Sequence, residues 1–374
     1  MSDSIYLDHN ATTTVRPVAI DAVRDALMLT GNPSSVHRHG RLARRMIEDA
    51  RDDIGHLVGA NPNDILFTGC GTEANNLALR GAPVDNYYVS ATEHHAVLMA
   101  NEKSQSIAVD DDGLVDLEAL DRLLSAASGR SLVSIMLANN ETGVILPISE
   151  VVRIAKEHDA LVHCDAVQGA GKMAIDMAAL GLDLMSLSAH KLGGPQGVGA
   201  LIAKAGLDIA PILRGGGQER RMRAGTENVA GIAGFGAAAR EATDGLDQMA
   251  QLSKWRDQLI ANIRRLAPVR VFGEASERLA NTVCISMPGV SAETQLMAFD
   301  LAGISVSSGS ACSSGKVEAS HVLAAMGVDV EEALSAVRVS FGWNSEAEDG
   351  QKFVDAWAKI YAKTGAMPAQ AMAG

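Results

Sequence analysis

Short apolar, β-rich runs alternate with amphipathic stretches of helical period along much of this chain, an order that few architectures accommodate. The runs are Asp64–Thr68, Tyr87–Ser90, Ser131–Leu137, Ala160–Cys164, Asp183–Ser188 and Gly197–Ala203. Helices are expected from about Thr72, after His94 and near Ile148–His158. The run Leu132-Val133-Ser134-Ile135-Met136-Leu137 reads as a strand buried on both faces, as central strands covered by helices are. The pattern predicts an α/β domain with a mostly parallel central sheet flanked by helices. From about Asn228 to Leu266 the sequence turns long-helical and Ala-rich. Strands near Val269–Phe272 and Thr282–Met287, a helix near Glu293–Leu301 and a closing pair, Val337–Phe341 and Glu346–Tyr361, then predict a smaller α+β domain beginning near residue 245. Thr364–Gly374 reads as a disordered tail.

Composition narrows the function classes. With 374 residues and 47% hydrophobic content, the chain can bury a large core. Its 32 Lys plus Arg against 45 Asp plus Glu give a net charge of −13, which argues against a nucleic-acid or membrane-surface partner. The start, Met1 to Asp8, lacks the basic and apolar regions of a signal peptide, and no apolar run reaches the length of a membrane span, so a cytoplasmic location is expected. Cys70, Cys164, Cys284 and Cys312 are too sparse for a disulfide framework and contain no CxxC pair. His9, His37, His39, His94 and His95 are spread over several segments without ligand spacing, so no metal site is expected.

Ligand sites in open α/β sheets lie beyond the carboxyl ends of the strands, and several such ends here carry unusual chemistry. Thr68-Gly69-Cys70-Gly71-Thr72-Glu73 is a Gly-bearing turn into a helix, where free N–H groups and the helix dipole suit a phosphate. A plain capped turn would look the same, and the Walker spacing with its closing lysine is absent. Asp165 follows an apolar strand, where an ionised carboxylate is costly unless it caps the next turn or meets a cation. Lys191 stands between a strand and the turn Gly193-Gly194-Pro195, held near the sheet, where its proton affinity can fall enough to make it nucleophilic. A lysine, an acid and a helix N-terminus together describe a pyridoxal phosphate site, with a Schiff-base amine, a counter-ion for the ring nitrogen and a phosphate cradle.

The sequence resembles the NifS/IscS-type cysteine desulfurases, class V aminotransferase relatives within the fold-type I pyridoxal phosphate enzymes. The matching runs are Tyr6 to Thr13, Gly31 to Ser35, Thr92-Glu93-His94, Asn139 to Gly143, Asp165 to Gln168, Ser188 to Lys191, Arg214 to Glu219, Arg223-Ala224-Gly225-Thr226 and Ser307 to Cys312. The resemblance implies a large cofactor domain over 14–245, and a small domain of 246–374 with 1–13 as an N-terminal arm. It implies that Lys191 forms the Schiff base, Asp165 faces the pyridinium and His94 stacks on the ring. Gln168 and Asn140 would face the ring oxygen, and Gly71, Thr72, Ser188 and His190 would contact the phosphate. Thr226 would reach the phosphate of a neighbouring subunit, making the working unit a homodimer. Arg338 would bind the substrate carboxylate, with Asn32 as a second contact, since a planar guanidinium suits paired hydrogen bonds.

Cys312 separates this family from ordinary aminotransferases. It sits in Ser-Ser-Gly-Ser-Ala-Cys-Ser-Ser-Gly, a run of small residues that reads as a mobile surface loop, whereas Cys164 and Cys284 lie in apolar strands. A thiolate there could take the sulfur of L-cysteine as a persulfide, release alanine and deliver the sulfur to an acceptor or iron–sulfur scaffold protein. Cys70 reads as space-filling. Two departures from the family touch partner docking: Gln196 replaces the usual lysine after the Gly-Pro turn, and the chain ends soon after its last helix. An aminotransferase or selenocysteine lyase would keep Lys191 and Asp165 without needing Cys312, and a non-catalytic sulfur-assembly partner would leave the pocket empty.

Overall fold

The computed structural model describes residues 4–308 and 319–363; Cys312 and the tail from Thr364 lie outside them. In chain order the strands are β1 (Ile5–Tyr6), β2 (Ile65–Thr68), β3 (Asn86–Ser90), β4 (Gln105–Ile107), β5 (Ser131–Met136), β6 (Leu161–Asp165), β7 (Leu184–Ser188), β8 (Gly199–Ala203), β9 (Thr282–Ser286), β10 (Ile304–Ser305) and β11 (Ala336–Ser340). Seven of them form the central sheet in the order β2-β8-β7-β6-β5-β3-β4. It is parallel from β4 to β7, while β8 runs antiparallel to both β7 and β2. This is the expected mostly parallel α/β sheet.

The two-sided burial has a residue-level cause. Val133 and Ile135 of β5, Val162 and Cys164 of β6, and Met185 and Leu187 of β7 join one apolar layer, whereas Leu132, Leu161 and Leu184 join the other. Helices Arg38–Val58 and Val229–Asp244 contribute to the first layer, and helix Gly71–Gly81 to the second. Helix Arg38–Val58 was not legible as an element in the sequence, because its face is rich in arginine and aspartate. It is nevertheless well delimited: the His37 side chain accepts from Gly40 N–H, and Gly59 closes it in the left-handed conformation at φ 62°.

A separate apolar cluster gathers Leu7, helix Leu246–Arg264, β9, β11 and helix Ala347–Ala362, with Phe299 stacked on Phe353 at 4.7 Å. There β9 pairs antiparallel with β11, and β1 pairs parallel with β10. One expectation needs correction. Val269–Phe272 forms no strand: only Val271 bridges to Ile285, because Arg270 N–H donates to the Ser286 hydroxyl at 3.0 Å instead of to a carbonyl of the neighbouring strand. The helix after His94 is a single turn, His95–Leu98.

Candidate active site

Beyond the carboxyl ends of β5, β6 and β7 opens a cavity of about 520 Å³. Of the residues singled out from the sequence, it brings together Gly71, Thr72, His94, Asn140, Asp165, Gln168, Ser188, His190, Lys191 and Arg338. Asn32 and Thr226 do not line it. Asn32 is exposed, its Oδ1 accepting from Ser34 N–H at 2.9 Å, and Thr226 follows Arg223, which is held by Glu73 at 2.8 Å. Cys70 also lines the cavity.

Asp165, the last residue of β6, is buried and held from two sides. Its Oδ2 accepts from Asn75 Nδ2 at 2.7 Å and its Oδ1 from Val167 N–H at 3.0 Å. The local turn and the counter-ion reading are therefore compatible: the bond to Val167 fixes the carboxylate that lines the cavity. Behind it lies Glu93, wholly buried, whose Oε1 accepts from Met136 N–H at 2.6 Å. Burial, with the charge of Asp165, holds its carboxyl well above the usual range.

Lys191 ends the short turn Ala189–Lys191 directly after β7. Its Nζ donates to the carbonyls of Asn10 (2.6 Å) and Ala11 (2.8 Å). Burial lowers its proton affinity to about 8; the Arg338 charge adds to this, and Asp165 and Asp8 oppose it. His190, lowered to about 4 by burial and Lys191, is neutral at pH 7, and its Nδ1 lies 3.1 Å from Thr12 Oγ1. His94 Nδ1 accepts from Ala96 N–H at 3.0 Å, which places the ring proton of the neutral imidazole on Nε2. Burial lowers the proton affinity of this ring as well.

Arg338, in β11, is buried rather than a surface ion pair. Nη2 donates to Asp8 Oδ1 at 2.6 Å and Nη1 to the Asn140 carbonyl at 2.9 Å. The strand address was legible; its partners come from the N-terminal arm and the β5 loop, which the sequence does not place beside it. Asn10, Glu141, His95 and His321 also line the cavity, with the His95 and His321 rings 4.6 Å apart. Asn10 and His95 lie within or beside matched motifs, whereas His321 offered no signal of its own. Among the described residues no cluster of His, Cys, Asp and Glu suits a metal.

The chain matches the family model described as Aminotransferase class-V over residues 5–353, and it belongs to that family. It is 41% identical to the Cysteine desulfurase IscS of Dictyoglomus turgidum over 97% of this chain and 96% of that protein. A Cysteine desulfurase of Cereibacter sphaeroides is 42% identical, covering 92% and 93%. The solved NifS-like protein from Rickettsia africae superposes with a TM-score of 0.90 at 39% identity, covering 96% of this chain and 99% of that one.

Enzymes of this family depend on pyridoxal phosphate, and the residues present fit it. The buried hydroxyl of Ser188 has no partner among the described residues, although a buried polar group without one is costly. It faces the start of helix Gly71–Gly81, whose N-cap Cys70 supplies no side-chain bond, so the first-turn N–H groups remain available to an anion. A Cβ on Gly71 would sit 3.1 Å from Val167 Cγ2 and 3.2 Å from Ser188 Cβ, crowding this cradle. Lys191, Asp165 and His94 complete the set for the ring. Among the described residues no helix is long and apolar enough to cross a membrane.

Proposed function

We propose that this protein is a pyridoxal phosphate-dependent cysteine desulfurase, which converts L-cysteine to L-alanine and takes the sulfur as a persulfide on Cys312 for iron–sulfur cluster or thio-cofactor synthesis. The observation that carries this reading is the cavity wall itself. Next to the lysine, carboxylate, unpartnered serine and arginine, Ser307 and Ala319, close to either side of the stretch holding Cys312, both line it. Cys312 is five residues from Ser307 in sequence, a reach of at most roughly 18 Å of extended chain.

When bound, pyridoxal phosphate supplies an electron sink for the bonds at the amino acid's Cα. In this reading Asp165 holds the ring nitrogen's proton by its charge, in a site where water is scarce and Coulomb attraction is stronger than in bulk. His94 fixes the ring plane, which governs which bond at Cα is weakened. Lys191, with a proton affinity of about 8, can bind and release a proton at Nζ near neutral pH, as a base beside Cα must. Ser188, His190, Thr72 and the Gly71 turn hold the phosphate, and Gln168 and Asn140 face the ring oxygen. Arg338 binds the substrate carboxylate while Asp8 and Asn140 keep the guanidinium aimed.

Asn32 serves as the second carboxylate contact, which requires its segment to approach the cavity. Thr226 reaches the phosphate in the other subunit of a homodimer. The two apolar clusters support a division into 14–245 and a small domain of 246–374 with the arm 1–13. The enzyme works in the cytoplasm and hands its sulfur to an acceptor or scaffold protein. Replacement of Cys312→Ser tests the reading: sulfide release from L-cysteine should disappear while the bound cofactor's visible spectrum persists. Undiminished turnover in that variant would point instead to an aminotransferase or a selenocysteine lyase.

A further inference from the structure

Two lysines converge on one residue of the N-terminal arm. Lys191 reaches the backbone carbonyl of Asn10 at 2.6 Å, and Lys172 reaches its side chain, donating from Nζ to Asn10 Oδ1 at 2.7 Å and to Gln168 Oε1 at 2.6 Å. Lys172 is buried and does not line the cavity, and the chemistry proposed above leaves it without a task. A buried lysine is costly, so its presence invites a physical reason. The charged or titratable groups around it are Lys191, Arg338 and His9. His9 has a proton affinity of about 4 and is neutral at pH 7.

Burial and the charges of Lys191 and Arg338 push the proton affinity of Lys172 well below the ordinary value, but both its partners are carboxamide oxygens, which can only accept, so Nζ donates to each whether charged or neutral. A carboxamide has two different ends, so fixing its oxygen fixes what the nitrogen faces. With Gln168 Oε1 held by Lys172, Nε2 points the other way, where one N–H donates to the Asn10 carbonyl at 2.9 Å. The second N–H remains for the cavity that Gln168 lines. A flipped Gln168 would set its oxygen against the Asn10 carbonyl and leave Lys172 short of an acceptor. Asn10 is fixed in the same manner: Oδ1 also accepts from Asn281 Nδ2 at 3.2 Å, so Nδ2 donates to the Asn140 carbonyl at 3.2 Å and to Thr282 Oγ1 at 2.9 Å.

We infer that Lys172 is a positioning residue that sets the orientation of the Gln168 carboxamide, so that an N–H donor faces the ring oxygen of pyridoxal phosphate. The inference rests on the cofactor reading of this cavity, though not on sulfur transfer. A donor at that oxygen stabilises its anionic form and loosens the proton shared with the neighbouring Lys191 nitrogen. The visible absorbance of the loaded, substrate-free enzyme therefore titrates at lower pH with the donor than without it.

The test is a spectrophotometric pH titration of the cofactor-loaded protein in the absence of cysteine. Lys172→Met should fold, load and titrate about one pH unit higher, a tenfold change in proton affinity. Gln168→Leu should move the midpoint by a similar amount, and the double variant no further than either single one. A simple charge effect of Lys172 would instead persist after Gln168→Leu, so additive shifts would overturn the inference, as would an unmoved midpoint in Lys172→Met. If Lys172→Met does not fold, Lys172→Gln, which is no longer donor-only, should show the same rise, and its absence would count equally against the inference. Failure of the unaltered protein to take up pyridoxal phosphate would overturn the cofactor reading as well, whereas uptake with an unmoved midpoint overturns the inference alone.

Discussion

The two walls of the cavity are built on opposite terms. The sheet-end wall, from Gly71 to Lys191, leaves polar capacity unspent: Ser188 Oγ and Asn75 Oδ1 are buried without partners among the described residues, and the helix N-terminus lacks a side-chain cap. The arm wall is nearly saturated. The side chain of Asn10 alone makes four hydrogen bonds, to Lys172, Asn281, Asn140 and Thr282, and Arg338 is clamped by Asp8 and Asn140. Unspent polar groups in a buried wall are available to a ligand, while a saturated wall is a frame that keeps its shape whether or not a ligand is present. The difference predicts that substitutions in the first wall change binding and chemistry with little effect on the stability of the cofactor-free protein, and that breaking the hydrogen bonds of the second lowers that stability.

The largest expected effect is that of Lys191→Ala, which should lower alanine production from cysteine by about 10³-fold, the scale of losing an acid–base group. Its cofactor-free thermal midpoint should stay close to that of the unaltered protein; a collapse of that midpoint would break the contrast between the walls. Next comes Asn10→Ala in the frame. Stranding Lys172 and Asn281 should cost about 2–4 kcal/mol, seen as a lowered thermal midpoint of the cofactor-free protein. An unchanged midpoint there would show that the arm is not a frame.

Smaller effects sharpen the picture. Ser188→Ala should weaken pyridoxal phosphate binding about tenfold, the worth of one charge-assisted hydrogen bond, in equilibrium dialysis. Because the hydroxyl has no partner among the described residues, the cofactor-free protein should lose no stability, and a marked loss would mean that Ser188 has a structural bond after all. The proton affinity of Lys191 supplies a test by pH. Its folded value of about 8 lies below the ordinary 10.5, so the neutral amine needed to capture the aldehyde becomes plentiful from about pH 8 upward. The rate of cofactor capture by stripped protein should rise about tenfold per pH unit below 8 and level off above it. A rate still climbing at the same slope toward pH 10 would indicate an ordinary, solvated lysine.

Much of this was legible in the chain. The sheet strands were readable because β5, β6 and β7 carry apolar residues on both faces, and their ends announced Asp165 and Lys191 by placing charge where solvent should be scarce. Helix Arg38–Val58 was not readable, since a charged face hides the narrow apolar stripe of Ile47, Ala50, Ile54 and Leu57. Val269–Phe272 misled because apolar content alone cannot distinguish a strand from an extended segment bridged at one residue. Lys172 left only an i, i+4 spacing to Gln168, a signal that ordinary surface pairs share.

Residue type and order were enough to determine the α/β class, the strand ends that carry the cofactor chemistry and the family to which the chain belongs, because alternation, turn glycines and costly charges at strand ends are local facts. Tertiary structure alone decided that Arg338 would be buried against Asp8, that Asn10 would join two lysines, and that Ser188 would be left without a partner among the described residues. Those outcomes depend on contacts between residues up to 330 positions apart, set by how the arm crosses the end of the sheet, and no local pattern encodes such a meeting.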